Sequence, residues 1–337
     1  MRLWGSLASI LIVTFAAFSA SSTYQLKSYS VGPGGTTGST STTYEAQDTV
    51  GDQANGSASS TTYTNGSGSI QTERLNVPGA PTLSNNSNTY YNMLNVIIST
   101  SNNPSDTTYA IAVSTTSNFA TTYYVQSSNG SLGGSPDYET YSTWGSSGGS
   151  SITGLTASTT YYAKVAAKEG LFTNTEYGAV ASQTTANPSI TFSVSPSSSS
   201  LGTFLPNTIA TSSSLSFTFA TNAVSGGNVY VSGLHGGFYS AAYSYNILAV
   251  TGSGNLGGLS QGFGVQGASS NLTVDAPYNG TGNTVGNESS TPAPIFSTAA
   301  AIVGGTASAN VQVKSLLTAP PSNDYTEVLT FVASASF

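Results

Sequence analysis

Few side chains in this sequence are of the kinds that carry out chemistry. The chain has 337 residues, with one histidine, His235, and no cysteine. Zinc sites use about three or four His, Cys or carboxylate ligands, and calcium takes roughly six to eight oxygens, several of them acidic. The 13 Asp and Glu residues are scattered along the chain. The sequence therefore predicts no metal site and no cofactor, with His235 as a loop residue in LHGGF.

Two short motifs resemble those of catalytic or cofactor sites, but neither is sufficient to predict such a site. Asp137 and Glu139 in PDYET share one face of an extended segment, and paired carboxylates can hydrolyse glycosides, but close acids in a tyrosine-rich loop are usually solvated. The run GSGNLG at 252–257 matches a dinucleotide fingerprint that requires a following helix. The residues that follow, GLSQGFGVQG, contain four glycines and disfavour a helix. We predict no catalytic residue and expect that the protein is not an enzyme.

Aromatic rings offer a different chemistry, the stacking of sugars. Tyr138, Tyr141 and Trp144 cluster in DYETYSTW, and three such rings on one surface would form a carbohydrate-binding platform. The alternative is that the rings cap a hydrophobic core, as large aromatic side chains commonly do. We favour the core, and the stacking role stays as the second interpretation.

The composition indicates which elements hold these residues. Only 6% of the residues are charged, against roughly 25% in an average globular protein, and Ser, Thr, Gly, Asn and Tyr take their place. These residues disfavour helices, whereas 13 Phe and 20 Tyr suffice to fill cores. The net charge of −7, with six Lys and Arg, offers no basic surface for nucleic acid or anionic membranes. The sequence predicts an all-β protein.

The first 76 residues look like an export signal and a stalk. Residues 1–20 contain Arg2, an apolar stretch and small residues near Ser19, which is typical of a cleaved signal peptide. The alternative is an uncleaved N-terminal anchor, and after it no further membrane span is expected. Residues 21–76 repeat the tetrapeptide pattern SSTY or STTY about every 20 residues and are rich in Ser, Thr and Gly. They are expected to be either a flexible stalk or a small strand repeat.

Short strand patterns, separated by turn signals, continue from residue 77 to residue 186. This spacing predicts an antiparallel β-sandwich. The strand patterns are LNVIIS (94–99), TYAIAVS (108–114), TTYYVQS (121–127), 159–167 and AVASQTT (179–185).

One part of this region resembles the fibronectin type III family. In ITGLTASTTYYAKVAAKEG (152–170), Leu155, Ala157 and Tyr161 stand where that family has a leucine, a proline or small residue, and the tyrosine that opens its sixth strand. The resemblance covers about 77–186 and implies an immunoglobulin-like sandwich with a tyrosine corner, in which the Tyr161 hydroxyl bonds to backbone near Leu155 or Ala157. It also implies a binding or spacer module rather than catalysis. The chain departs from the family in having Val96, Ile97 and Ile98 where a tryptophan is usual.

Residues 187–337 predict a second β-sandwich. Alternating runs occur at 189–196, 214–221, 228–233, 309–315 and 325–337. The last run lacks the Lys, Pro and bulges that protect edge strands. We therefore expect it to lie inside a sheet of its own domain and to pair with an early strand of 189–221.

These observations favour a non-catalytic, exported bacterial protein at the cell surface or outside the cell. Its expected work is spacing, adhesion or surface assembly. The alternative is a carbohydrate-binding protein that uses Tyr138, Tyr141 and Trp144. Surface glycans or other surface proteins are the expected partners, and the oligomeric state is left open.

Overall fold

The structure, a computed structural model, describes residues 34–40, 45–50, 56–59, 64–67, 75–85, 90–169 and 173–337. Within these ranges the regular structure is almost entirely β-strand. The helical element recorded there is a short 3-10 turn, Ser146–Gly148. This agrees with the composition, because Ser, Thr and Asn compete for helical backbone bonds and Gly costs backbone entropy.

Two short antiparallel hairpins precede the larger sheets. β1 (Gly34–Thr40) pairs with β2 (Glu45–Val50), and β3 (Gly56–Ser59) pairs with β4 (Thr64–Ser67). Both hairpins fall within the 21–76 segment. The signal peptide expected at 1–20 lies outside the described residues. The same holds for the residues before Leu75 that do not belong to these four strands.

Ten strands between residues 82 and 184 form the first sandwich. They are β5 (Thr82–Ser84), β6 (Leu94–Ile97), β7 (Thr108–Ser114), β8 (Tyr123–Val125), β9 (Leu132–Gly133), β10 (Glu139–Thr140), β11 (Ser150–Ile152), β12 (Thr160–Glu169), β13 (Thr173–Asn174) and β14 (Ala181–Thr184). One sheet has the order β11–β6–β5. The other runs β13–β12–β7–β8–β9, with β14 also on β12 and β10 also on β7.

The two sheets of the first sandwich enclose one hydrophobic core. Alternate residues of β7, Tyr109, Ile111 and Val113, face this core, as the pattern TYAIAVS predicts. Side chains of the facing three-stranded sheet, such as Leu94 and Val96, complete it from the other side. The fold class predicted from the sequence, an all-β sandwich, is thus confirmed for this region at the level of architecture.

Thirteen strands between residues 190 and 335 form the second sandwich and a small hairpin. They are β15 (Ile190–Ser195), β16 (Ile209–Thr211), β17 (Leu215–Thr221), β18 (Gly227–Gly233), β19 (Gly237–Ser240), β20 (Tyr245–Leu248), β21 (Ser253–Asn255), β22 (Gly262–Ser269), β23 (Thr273–Val274), β24 (Thr284–Gly286), β25 (Ala293–Thr298), β26 (Ile302–Lys314) and β27 (Leu329–Ala335). One sheet runs β15–β17–β26–β22–β24–β21, with β16 on β26, and the other runs β23–β25–β18–β27.

Aromatic side chains join the two sheets of the second sandwich. The ring of Phe217, on β17, lies 4.8 Å from that of Phe331 on β27 and 5.3 Å from that of Phe296 on β25, measured between centroids. Val229 and Val231 of β18 are buried in the same cluster. This core is separate from that of the first sandwich, so each sandwich has its own set of buried apolar contacts.

The glycine-rich run after residue 257 forms β22, a strand that lies within its sheet between β26 and β24. A Cβ atom on Gly264 would lie 2.5 Å from the carbonyl oxygen of Gly286, and one on Gly267 would lie 3.0 Å from the ring of Phe296. Glycine inside a strand often marks such a close approach. Gly264 and Gly267 therefore allow close packing of β22 against its neighbours.

The last strand lies in its own domain, as expected, but its position differs from the sequence prediction. β27 pairs with β18, Gly227–Gly233, and not with an early strand of 189–221. β27 is also an edge strand of its sheet, whereas an interior position was expected. The alternating pattern identified the strand correctly, but it contains no information about which distant strand provides the partner.

Candidate functional site

The tyrosine that opens β12 is tied to the turn before it. Tyr161 is 6% exposed, and its hydroxyl oxygen accepts a hydrogen bond of 2.9 Å from the backbone N–H of Thr156. Leu155, next to Thr156, is buried in the same core, and its N–H donates to the carbonyl of Asn92. Ala157 is half-buried, and its carbonyl accepts a bond from the hydroxyl of Thr159. The three residues of the predicted corner thus lie together at the end of the first sandwich.

Replacing Tyr161 with Phe is expected to destabilise the first sandwich by about 1 kcal/mol, the net value of one hydrogen bond. The ring remains, so the loss comes from the bond to the N–H of Thr156. Thermal unfolding followed by the fluorescence of Trp144 measures it. Tyr162→Phe is the matched control, because the neighbouring side chain points to the other face. An unchanged melting temperature for Tyr161→Phe would contradict the assignment of a tyrosine corner.

The tryptophan of the predicted stacking set lies in the core. Trp144 is 1% exposed, and its indole N–H donates a 2.7 Å hydrogen bond to the carbonyl of Tyr109. A buried ring presents no face to a sugar. This placement removes Trp144 from the predicted stacking set, because the ring packs between the sheets.

The other two rings of that set have different surroundings. Tyr141 is half-buried and packs against the first core. Tyr138 is half-buried, and the ammonium of Lys168 lies 5.2 Å from the centre of its ring. The structure therefore does not bring Tyr138, Tyr141 and Trp144 together as one exposed surface. The neighbouring acid Asp137 accepts a 2.7 Å bond from the N–H of Ser127 and so holds a loop.

Tyr138 belongs to a second aromatic group that sequence reasoning missed. The ammonium of Lys164 lies 4.1 Å from the ring centre of Phe119 and 5.0 Å from that of Tyr177. Burial raises the pKa of Tyr177 well above its usual range, and the nearby hydroxyls of Tyr124 and Tyr138 add to the rise. We call this set, Phe119, Tyr124, Tyr138, Tyr177, Lys164 and Lys168, the tyrosine–lysine face.

The alternation of side chains along β12 could have predicted that the lysines of this face lie on the side of the sheet away from the core. In TYYAKVAAKE, Tyr161, Ala163 and Val165 point to the core, so Lys164 and Lys168 must point to the other side of the sheet. Cation–π contacts of this kind hold rings and ammonium groups in fixed positions. Phenol hydroxyls beside ammonium groups can donate hydrogen bonds to oxygen-rich ligands.

A cleft of about 430 Å³ lies at one side of the second sandwich, between the loop that follows β15 and the segment that leads into β27. One wall carries the hydroxyls of four serines, 197–200. The lining also includes polar side chains such as Ser212, Asn323 and Glu327. Apolar and aromatic side chains line it as well, and these are Phe204, Phe238, Phe263, Tyr325, Leu329 and Phe331. The lining is therefore mixed, with hydroxyls and a carboxylate beside aromatic rings.

The carboxylate of Glu327, at the edge of this cleft, holds a backbone loop. Its Oε1 atom accepts bonds from the N–H groups of Leu234 at 2.6 Å and His235 at 3.0 Å, and Oε2 accepts one from Gly237 at 3.4 Å. His235 stacks on Tyr239, with 4.8 Å between ring centres. These bonds give Glu327 and the loop of His235 a structural role.

A second acid, Glu288, lies buried near Glu327. It is 3% exposed, and neither of its carboxyl oxygens has a hydrogen-bond partner. Gly233, the last residue of β18, packs so closely that a Cβ there would lie 1.4 Å from Oε1 of Glu288. Burial raises the pKa of Glu288 to about 7, and the charge of Glu327 adds to the rise. Glu288 is therefore held in its protonated form in mildly acidic solution.

The free energy of unfolding is expected to fall as the pH rises from 4.5, the ordinary pKa of the carboxyl, to about 7. In that window the folded chain keeps the proton of Glu288 while the unfolded chain releases it, so the folded state binds more protons. The fall is on the order of 3 kcal/mol and levels off above the folded pKa. Urea unfolding at several pH values measures it. Glu288→Gln should flatten this slope, whereas Glu176→Gln, at an exposed carboxylate, should leave it. A slope that persists in Glu288→Gln would refute the assignment.

The described residues hold no arrangement typical of a nucleophile or a metal. Two pentapeptides match G-x-S-x-G, 145–149 and 258–262, a pattern that in hydrolases joins a strand to a helix. The first contains the 3-10 turn and leads into β11, and the second is a turn that leads into β22. In the described chain, no group of three or more His, Asp and Glu is placed to bind a metal. GSGNLG forms β21 and a turn, with no helix after it.

Comparison with known proteins gives similarity to solved structures and no family. No protein-family model matches the chain, and no curated protein matches it. Among solved structures, the chitinase ChiA74 from Bacillus thuringiensis is similar over 75% of this chain and 28% of its own, with 11% identity and a TM-score of 0.20. The match spans less than a third of that chitinase, and at this TM-score it supports no conclusion about fold or activity. No helix within the described ranges is long and apolar enough to cross a membrane.

Proposed function

We propose that this chain is a non-catalytic, exported protein of the cell surface or the extracellular space, and that it acts as a spacer in adhesion or surface assembly. Residues 77–186 form a fibronectin type III-like module and residues 187–337 a second sandwich domain. The junction between the two sandwiches is the observation that carries the proposal, because a spacer must hold a fixed distance.

The module assignment is supported by topology and by the corner. The sheet β11–β6–β5 contains the first, second and fifth main strands, and it faces a sheet with the third, fourth, sixth and seventh, β7, β8, β12 and β14. Immunoglobulin-like sandwiches distribute their strands in this manner. The bond from the N–H of Thr156 to the hydroxyl of Tyr161 is the contact expected of a tyrosine corner.

The side chain of Asn222 fastens the junction. Its amide nitrogen donates to the carbonyl of Asn187 at 2.7 Å, and its amide oxygen accepts from the N–H of Ser189 at 2.8 Å. Both partners lie in the segment that connects the sandwiches. The carbonyl of Asn222 also accepts a 3.2 Å bond from the N–H of Tyr91, in the first sandwich. Asn222 is buried, so these bonds are shielded from water.

Two further contacts reinforce the junction. The hydroxyl of Ser158, in the first sandwich, bonds to the side chain of Asn187 in the connecting segment. The rings of Tyr91 and Phe337 meet edge to face, with 5.5 Å between their centres. A connection bonded to both sandwiches restricts their relative rotation, and this restriction gives the pair a defined length.

Asn222→Ala is expected to loosen the junction without unfolding either sandwich. Small-angle X-ray scattering should show one narrow range of dimensions for the wild type and a broader range for the variant. Asn129→Ala, at an exposed loop residue, is the control and should match the wild type. A wild type that already samples many orientations would overturn the spacer proposal.

The second candidate function is carbohydrate binding, and the tyrosine–lysine face favours it. Tyr138, from the predicted stacking set, lies there beside Lys168 and near the hydroxyls of Tyr124 and Tyr177. A glycan array with the wild type, Tyr138→Ala and Tyr243→Ala tests it, since Tyr243 is exposed on the other sandwich. Binding that Tyr138→Ala alone abolishes would support the glycan function. An array on which the wild type binds no glycan would contradict the carbohydrate-binding function.

A further inference from the structure

Two buried carboxyl groups contact the short segment that leads from the end of β18 into β19, residues 233–237. Glu288 is 3% exposed, and the side chain of Glu327 is exposed to the same small extent. Gly233 packs against the carboxyl of Glu288, and the residues that follow it bond to the carboxylate of Glu327. The same five residues are therefore in contact with both acids.

The surroundings of Glu327 suit a negative charge. Its carboxylate accepts bonds from the N–H groups of Leu234 at 2.6 Å, His235 at 3.0 Å and Gly237 at 3.4 Å. Bonds of this kind stabilise the ionised form of a carboxyl. The imidazole Nδ1 of His235 lies 3.5 Å from Oε2 of the same carboxylate. The loop thus supplies the groups that compensate the charge of Glu327.

The surroundings of Glu288 suit the neutral form of the acid. Neither of its oxygens has a hydrogen-bond partner. The basic residues of the described chain are Lys164 and Lys168, in the first sandwich, and Lys314, whose ammonium donates to two backbone carbonyls of a turn. Tyr278 is neutral, because burial and the charge of Glu288 raise its pKa to about 12. Among the described residues, no cation compensates Glu288.

Ionisation of Glu288 in this site would place an uncompensated charge beside a second carboxylate. A buried charge without a partner is costly, and a neighbouring charge of the same sign adds to the cost. The cost is relieved when the segment moves and water reaches the carboxyl. Gly236, at a φ of 64°, is followed by Gly237, and glycines give a loop the backbone freedom that such a movement needs.

We infer that Glu288 is a pH sensor for the loop Leu234–Gly237, which separates from Glu327 when Glu288 ionises. The closed loop keeps the proton of Glu288 and the open loop releases it, so a rise in pH favours the open form. Opening also frees the carboxylate of Glu327, which lines the cleft. The cleft thereby gains free acceptor atoms at higher pH. This response goes beyond the spacer role and does not depend on it.

Amide hydrogen exchange of the full chain tests the sensor. The N–H groups of His235 and Gly237, which bond to Glu327, are the reporters, and their protection factors are corrected for the effect of pH on free amides. From about pH 5 to about 7, the folded pKa of Glu288, protection should fall roughly tenfold per pH unit and then level off. Low concentrations of urea should leave it unchanged, because a local opening exposes little surface.

Three variants identify the group that responds. Glu288→Gln, which resembles the protonated acid, should show the same protection at every pH. His235→Gln removes the other titratable group of the loop and should keep the fall at the Gly237 amide. Glu176→Gln, at an exposed carboxylate of the first sandwich, should behave as the wild type. A wild type without the fall, a fall that persists in Glu288→Gln, or one that is absent from His235→Gln would overturn the proposal.

Carbon NMR of the wild type gives a test that requires no variant. The carboxyl carbon of Glu288 should report a pKa well above 4.5, the ordinary value. Its titration should cover the same pH range as the fall in protection at His235 and Gly237. A pKa near 4.5 would show that water reaches Glu288 in the closed loop, and would overturn the proposal.

Discussion

Removal of residues 325–337 is expected to abolish the cooperative unfolding of the second sandwich while the first sandwich stays folded. The deletion removes β27 and leaves β18 paired on one side only, with β25. It also removes Phe331 from its contact with Phe217, and Glu327 from the loop that it holds. Loss of one core phenylalanine costs about 3–5 kcal/mol, which is already comparable with the roughly 5–15 kcal/mol that stabilise a whole domain.

Two signals separate the sandwiches in this experiment. Trp144 is the one tryptophan among the described residues, so its fluorescence reports the unfolding of the first sandwich. Calorimetry reports the unfolding of both sandwiches. The truncated chain should keep the fluorescence transition and lose a calorimetric one. Removal of residues 336–337 alone is the control, because β27 remains, and it should keep both transitions. A second sandwich that still unfolds cooperatively without 325–337 would show that β27 is dispensable.

Trp144→Ala should destabilise the first sandwich by about 3–5 kcal/mol, the usual cost of replacing a core tryptophan with alanine. The indole is 1% exposed, so its removal leaves a cavity between the sheets. The carbonyl of Tyr109 also loses its bond from the indole N–H, and an unsatisfied buried group adds to the cost. Urea unfolding followed by circular dichroism measures the change.

Two variants help to interpret this result. Trp144→Phe fills part of the cavity but cannot donate the hydrogen bond, so it should lie between the wild type and Trp144→Ala. Tyr138→Ala removes a half-buried ring from the other side of the sheet and should cost much less. A small effect of Trp144→Ala would mean that the ring is not part of the core, and would return it to the stacking set.

The sequence was most informative where one strand pattern decides the outcome. The alternation in TYAIAVS predicted β7 with the correct ends and the correct buried face, Tyr109, Ile111 and Val113. It did not predict that Ala110 and Ala112, on the opposite face, are buried too. On that face Ala112 has Tyr124 and Lys164 as cross-strand neighbours, and only pairing between distant segments creates this cover.

Properties that depend on distant partners were not accessible from the sequence. The run 325–337 was recognised as a strand, but its partner, β18, lies about 100 residues earlier and has an alternating pattern no different from those of other strands. Glu288 looked like one of several scattered acids, and its burial follows from the packing of β18 around it. The aromatic cluster in DYETYSTW gave two open alternatives, and the burial of Trp144 decided between them for that ring.

The close packing of Gly233 against Glu288 restricts how this sequence can evolve. A side chain at 233 would collide with the carboxyl of Glu288, which is 3% exposed, so Glu288 would have to change its conformation. A substitution at 233 is therefore expected to cost least when it follows, or arrives together with, a smaller residue at 288. In that order, the shortened residue 288 first leaves a void, which a later alanine at 233 can fill. The order of the two substitutions therefore matters. Some related sequences should have a small residue at 288 together with glycine at 233, but none should have a larger residue at 233 together with glutamate at 288.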